Sequence, residues 1–212
     1  GVSALGLQAI LGVGSYRTTW SWLHKLRTAM VRPGRDLLSG IVEVDETWVG
    51  GAHSGKRGRG AEGKELVLVA VEKTKQGIGR VRLKHIPDAS AKTLESTIAA
   101  LVEPGSTIRT DGWRGYSRLQ EKGYTHKVLV HPKQEPGDDP TPLVDRIASL
   151  LKRWLLGTHQ GGQQFSHLHY YLDEFTFRFN RRTSRSRGML FYRLVQQALQ
   201  IEPAPISTLK AG

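Results

Sequence analysis

Residues 41–51 read IVEVDETWVGG, and the fold turns on how that stretch is taken. Apolar and polar residues alternate with period two, as in a strand with one buried face. Parity puts Glu43, Asp45 and Thr47 on one face and Val42, Val44 and Glu46 on the other. The strand ends in two acids, Asp45 and Glu46, followed by two glycines. An aspartate there can serve the turn that the glycines make. It can equally reach a cleft beside the sheet.

Working outward, KELVLVAVEKT (64–74) is an apolar run typical of a buried strand, and RVRLKHI (80–86) alternates as a third. Three strands in succession predict an antiparallel meander. SAKTLESTIAALV (90–102) predicts a helix capped by Ser90, with Leu94, Ile98 and Leu101 on one stripe. TIRTD (107–111) reads as a short strand, YSRLQEKG (116–123) as a helical segment and THKVLVH (125–131) as another strand. A proline-rich loop, PKQEPGDDPTP (132–142), follows. Three helical stretches complete the chain: PLVDRIASLLKRWLLGTH (142–159), SHLHYYLDEFTFRFNRR (166–182) and GMLFYRLVQQALQ (188–200). This order predicts an α/β fold with a mixed sheet, three strands antiparallel and two joined by helices.

Ahead of the first strand lie two short apolar-periodic stretches, SALGLQAILGV (3–13) and SYRTTWSWLHKLRTAM (15–30), the second capped at Ser15 or Thr18. Two helices about a glycine turn are compatible with a helix-turn-helix, and an ordinary helical hairpin fits as well. VRPGRDLLSG (31–40) reads as a linker. The expected organisation is a helical segment and linker over 1–40, a catalytic-type domain over 41–200 and a tail over 201–212.

The chain has 212 residues, a formal net charge of +12 and a sequence pI near 10.2. Such a surplus points to a polyanionic partner, most often nucleic acid, with a merely basic surface as the alternative. There is no cysteine, which excludes disulfides and thiolate zinc sites within the chain. No run approaches the ~18–20 apolar residues of a membrane span. The apolar start GVSALGLQAILGVGS lacks a basic leader and is not read as a signal peptide. The expected compartment is the cytoplasm, with no membrane partner.

Two further acids stand out. Asp111 closes the strand TIRTD beside a glycine, where a plain turn residue is again the alternative. Asp145 lies on the helix 142–159, well outside its apolar arc of Leu143, Val144, Ile147, Leu150, Leu151, Trp154 and Leu155. Lys152 shares its face about 10 Å further along. Carboxylates from separate elements are the hard oxygen ligands that Mg²⁺ takes, and a basic chain so equipped fits phosphodiester chemistry. Glu43, Glu46, Glu135, Asp138 and Asp139 compete for these roles. Lys56, Arg57, Arg59 and Lys64 form a glycine-rich cationic loop next to Asp45 in sequence, and Arg178, Arg181, Arg182, Arg185 and Arg187 cluster later. Trp113 can stack on a base or pack under its turn. His159, His167 and His169 read as packing or surface residues.

VEVDETWVGG, RTDGWRGY, LLKRWLLGTHQG and HLHYYLDEFTFRFNRR, in this order, resemble the DDE-type transposases of bacterial insertion sequences, in their ISXO-like group. The resemblance covers roughly residues 3–200. It implies a ribonuclease-H-like fold and two Mg²⁺ ions, or Mn²⁺, held by Asp45, Asp111 and Asp145. These acids are separated by 65 and 33 residues. Glu, Asn or His is common at the third position, and Asp there has a shorter reach than Glu. The resemblance further implies cleavage at transposon ends and strand transfer into target DNA. Phosphate contacts would come from Lys56, Arg57, Arg59, Lys152, Arg153, Arg181 and Arg182. It also implies a homo-oligomer, a dimer or higher, on DNA in a bacterial, nucleoid-associated setting. The group usually carries an upstream cysteine-containing zinc ribbon, and its lack here fits a fragment or a decayed copy. A structure-specific nuclease on this fold, and a transposase-derived DNA-binding protein that no longer cuts, are the alternatives.

Overall fold

The computed structural model describes residues 1–50, 64–129, 141–159 and 165–210. By contacts the chain divides into two compact units, Asp36–Lys152 and Gly1–Arg35 with Arg153–Gly212.

The first unit is built on five strands: β1 (Ile41–Gly50), β2 (Lys64–Thr74), β3 (Gly77–Ile86), β4 (Thr107–Thr110) and β5 (Thr125–Val128). Their order is β3-β2-β1-β4-β5. The first three pair antiparallel, while β1–β4 and β4–β5 pair parallel. This mixed sheet is the ribonuclease-H-like arrangement that the resemblance implied. Helix α3 (Ala91–Leu101) makes the crossover from β3 to β4, capped by Ser90, whose hydroxyl accepts from the Thr93 amide. Its buried stripe of Leu94, Ile98 and Leu101 joins Val42, Val44, Leu66, Leu68, Ala70, Ile86 and Ile108 in one hydrophobic cluster. The sheet face toward α3 is therefore the even-numbered side of β1.

Two parts of this unit depart from the sequence reading. Residues 116–123 form no α-helix; two 3₁₀ turns, Arg114–Tyr116 and Gln120–Lys122, carry the chain from β4 to β5. Leu38 is no free linker residue. It is fully buried, bridges to Val102 and exchanges backbone hydrogen bonds with Leu101 and Glu103. The carbonyls of Asp36 and Leu37 likewise accept from Arg82 and Arg80. Proline and glycine at 33 and 34 masked a segment whose Leu38 belongs to the core.

Helix α4 (Pro142–His159) starts in the first unit and continues into the second. The second unit also holds α1 (Ala4–Leu11), α2 (Tyr16–Ala29), α5 (Leu168–Asn180), α6 (Arg187–Ala198) and α7 (Ile206–Lys210). Ser3, Ser15 and Ser186 cap α1, α2 and α6 with their hydroxyls. The expected tail contains α7, whose Leu209 is buried and whose carbonyl lies 2.8 Å from His167 Nε2. Inside this unit Arg27 and Glu174 form a buried ion pair at 2.9 Å, with the guanidinium over the Tyr171 ring. His24 is fully buried against Trp20, His167, Tyr170 and Tyr171.

Burial, reinforced by Arg27, pulls His24 down to about 3, and the same two causes pull His159 to about 4. Both rings are neutral in the folded chain at neutral pH. The unfolded chain takes up their protons near 6.5, so the stability they contribute is complete above that value. It is lost as pH falls from there toward 4 and 3. The melting temperature is expected to drop steadily between pH 7 and pH 4.5, and His24→Leu to flatten that slope in thermal melts.

Candidate active site

Strand register brings the site together. Ile41, Val42 and Glu43 of β1 stand opposite Thr107, Ile108 and Arg109 of β4, an offset of 66 positions. Carried two residues on, that offset runs from Asp45 to Asp111, though the pairing itself stops at Glu43 and Arg109. The two ladders end differently. β1 continues to Gly50 against β2, whereas β4 stops at Thr110 and its pairing with β1 at Arg109. Asp111 therefore sits on the first residue of the turn, exposed, and Asp45 within the strand, half-buried.

Each carboxylate is held by local donors. The Glu46 amide donates to Asp45 Oδ1 at 2.7 Å, and the Thr141 hydroxyl donates to Oδ2 at 3.0 Å. The Trp113 amide donates to Asp111 Oδ1 at 2.9 Å, closing an Asx-type turn. Gly112 makes that turn possible: its φ is +86°, and a Cβ there would lie 2.6 Å from Val128 Cγ1. Burial lifts the Asp45 carboxyl above the ordinary range. The Glu46 amide works against this, and the nearby charge of Asp111 adds to it. An acid whose carboxyl feels the charge of a second acid makes, with it, a set of hard oxygen donors whose repulsion a divalent cation relieves.

Helix α4 begins beside the same face. Thr141, almost wholly buried, precedes Pro142 at the first helical position, where the missing N–H costs nothing. The Leu143 amide, one of the unpaired donors of a helix start, donates to Glu43 Oε2 at 3.1 Å. Glu43 is thus engaged in capping α4. Asp145 stands on the first turn of this helix, its side chain exposed. Among the described residues no three His, Asp or Glu side chains gather to hold a metal ion. The structure brings Asp45 and Asp111 into each other's field and sets Asp145 one turn along the helix whose start touches Asp45.

The basic residues fall into three groups. Lys152 and Arg153 are exposed on α4, and burial of its stem lowers the Lys152 ammonium while Asp145 works the other way. Arg181 and Arg182 end α5, stacked over Phe177 and Phe179 at 3.9 and 4.1 Å, with N–H groups on the carbonyls of those same residues. Lys56, Arg57 and Arg59, like Glu135, Asp138 and Asp139, lie outside the described residues. Trp113 packs against the core cluster and donates to the Ala89 carbonyl at 3.0 Å. Sequence reasoning missed Thr141 and the capping role of Glu43. The signal for both was a Thr-Pro pair opening the helix, and a second acid in phase with Asp45.

The site thus sets Asp45, within β1, and Asp111, just past the end of β4, beside each other in a ribonuclease-H-like mixed sheet. Residues 37–180 match the ISXO2-like transposase domain, and the chain belongs to that family. No curated protein matches it. Among solved structures it resembles a chain from the simian T-cell lymphotropic virus intasome in complex with the PP2A regulatory subunit B56 gamma. There the identity is 17% and the TM-score 0.41, over 82% of this chain and 65% of that one. It also resembles a chain of the Mos1 strand transfer complex, with 12% identity and a TM-score of 0.31, over 86% of this chain and 63% of the other. It spans less than two thirds of the length of either.

Removing the Glu43 carboxylate leaves the Leu143 amide without its acceptor. Glu43→Ala is expected to cost about 1–2 kcal/mol in denaturant unfolding, the range for lost helix caps. Glu43→Gln, which keeps an acceptor oxygen, is expected to lose less.

Proposed function

We propose that the chain acts on DNA as a metal-dependent transposase, cutting at transposon ends and joining the freed 3′-hydroxyl to target DNA. The observation that carries this reading is that Asp45 and Asp111, just beyond the β1–β4 pairing, lie close enough for the charge of Asp111 to raise the Asp45 carboxyl. Asp45 and Asp111 are the residues proposed to hold Mg²⁺ or Mn²⁺, with Asp145 as the third. A bound ion pair would supply activation of the attacking oxygen and neutralisation of charge at phosphorus.

The chain's own groups supply the rest. The Thr141 hydroxyl and Glu46 amide orient Asp45 so that it enters the site in one rotamer. Thr141, at the start of α4, donates to Asp45 and works against the lift that burial gives its carboxyl. Lys152 and Arg153 are proposed to contact DNA phosphates, together with Lys56, Arg57, Arg59, Arg181 and Arg182. A homo-oligomer on transposon-end and target DNA, in a bacterial nucleoid-associated compartment, completes the proposal. No helix among the described residues is long and apolar enough to cross a membrane.

A second reading is DNA binding without cutting. It is favoured by the exposed Asp145 and by the lack of a three-ligand group among the described residues. Incubating a pre-cut transposon end with target DNA and Mg²⁺ separates the readings. Asp45→Ala and Asp111→Ala are expected to lower joining by about a hundredfold or more, the scale of loss when reacting groups are misplaced by ~1 Å. Asp145→Ala is expected to lower it less. Lys152→Ala is expected to weaken DNA binding and to reduce the salt slope by about one. Cutting without joining would mark a nuclease. Equal DNA binding by wild type and all three aspartate variants, with no cutting, would mark the binding protein.

A further inference from the structure

We infer that Glu46 is a positioning residue for the carboxylate pair: its hydrogen bond to the buried Tyr116 hydroxyl ties the turn carrying Asp111 to the strand carrying Asp45. This rests on the reading of Asp45 and Asp111 as cation ligands.

The need for such a tie follows from the register. The β1–β4 ladder ends at Glu43 and Arg109, two residues short of the aspartates. Beyond it β1 is held by β2, and the turn after β4 by other contacts. Among the described residues the β1–β4 pairing does not reach either aspartate. Glu46, one residue beyond Asp45, points by parity to the other face of the sheet, among Val44, Trp48 and the cluster under α3. A half-buried carboxylate there needs a donor. The Tyr116 hydroxyl supplies it at 2.8 Å from Oε1.

Tyr116 is wholly buried, and burial together with the Glu46 charge raises its phenol far above the ordinary range, so it stays a donor. From there the connection to Asp111 is short. The Tyr116 amide donates to the Trp113 carbonyl at 3.0 Å, and the Trp113 amide donates to Asp111 Oδ1 at 2.9 Å. The Trp113 indole is anchored on Ala89. Gly115 leaves no slack: a Cβ there would lie 2.6 Å from Leu94 Cδ1 and 2.7 Å from Trp113 Nε1. Glu46, Tyr116, Trp113 and Asp111 form one connected path beneath the site.

The test is Mn²⁺ binding by the full chain in the absence of DNA, followed by electron paramagnetic resonance. Circular dichroism and thermal melts confirm that each variant is folded. Tyr116→Phe keeps the buried ring and loses only the donor, and Glu46→Ala loses the acceptor. Each is expected to weaken Mn²⁺ binding by about tenfold, the lower end for lost supporting groups around metal ligands. The double variant is expected to be no weaker than either single one, because both remove the same bond. Glu46→Gln retains an acceptor oxygen and is expected to bind close to wild type. Loss of binding in Glu46→Gln with full binding in Tyr116→Phe would make Glu46 a ligand and overturn the inference. Wild-type affinity in both Glu46→Ala and Tyr116→Phe, with binding lost in Asp45→Ala, would overturn it while leaving the carboxylate site standing. Wild-type affinity in Asp45→Ala would remove the site itself and the inference with it.

Discussion

The register of β1 against its two neighbours is the constraint on which the site depends. Side chains alternate across a strand, so a slip of one residue exchanges the faces. Such a slip would turn Val42, Val44 and Trp48 out of the cluster under α3 and drive Glu43, Asp45 and Thr47 into it. At about 1.5–3 kcal/mol for each large apolar side chain fully buried, the apolar face alone excludes the slipped pairing. The carboxylates take their places because the slip would bury Glu43 and Asp45 in the apolar cluster under α3, away from the donors they hold. What keeps Asp45 on the face away from α3 is thus hydrophobic burial on the opposite face, transmitted through the pleat.

The acids of β1 then divide the work by position. Glu43, deepest in the sheet, satisfies the helix start of α4 and fixes where that helix begins. Asp45, half-buried, keeps both oxygens on local donors and faces the charge of Asp111. Glu46 turns to the other side and binds a phenol. Three acids within four residues would repel one another on an exposed strand. Here each has its own donors, and Asp45 still feels the charge of Asp111.

Much of the frame was legible in the sequence. Strand alternation in 41–49, the apolar run of 64–74 and the Ser90-capped stripe of 90–102 depend on period and local chemistry, and each recurs in β1, β2 and α3. The helix read over 142–159 has those same bounds in α4. Local pattern failed where distant contacts decide. Leu38 sits in a Pro- and Gly-broken segment yet is wholly buried, and residues 116–123 curl into 3₁₀ turns because Tyr116 and Leu119 must reach the core. The roles of Glu43 and Glu46 depend on partners 100 and 70 residues away. Parity could say which face each occupied, but not what waited there.

The net charge of +12 needs the same residue-by-residue treatment before it is assigned to DNA. Arg27 is buried on Glu174, Arg80 is paired with Glu72, and Arg82 donates to backbone carbonyls. These cations hold the fold. Arg181 and Arg182 stand between the two uses: ring stacking and contacts to the last α5 carbonyls fix their guanidinium planes. A preordered guanidinium loses less entropy on meeting a phosphate than a flexible one does. Such ordered planes would suit the phosphate contacts proposed for them. Lys152 offers the contrast, a flexible point charge seven residues from Asp145 whose desolvated stem already lowers its proton affinity. Phosphate approaching Lys152 would reverse that shift. It would act there in the same direction as Asp145 does.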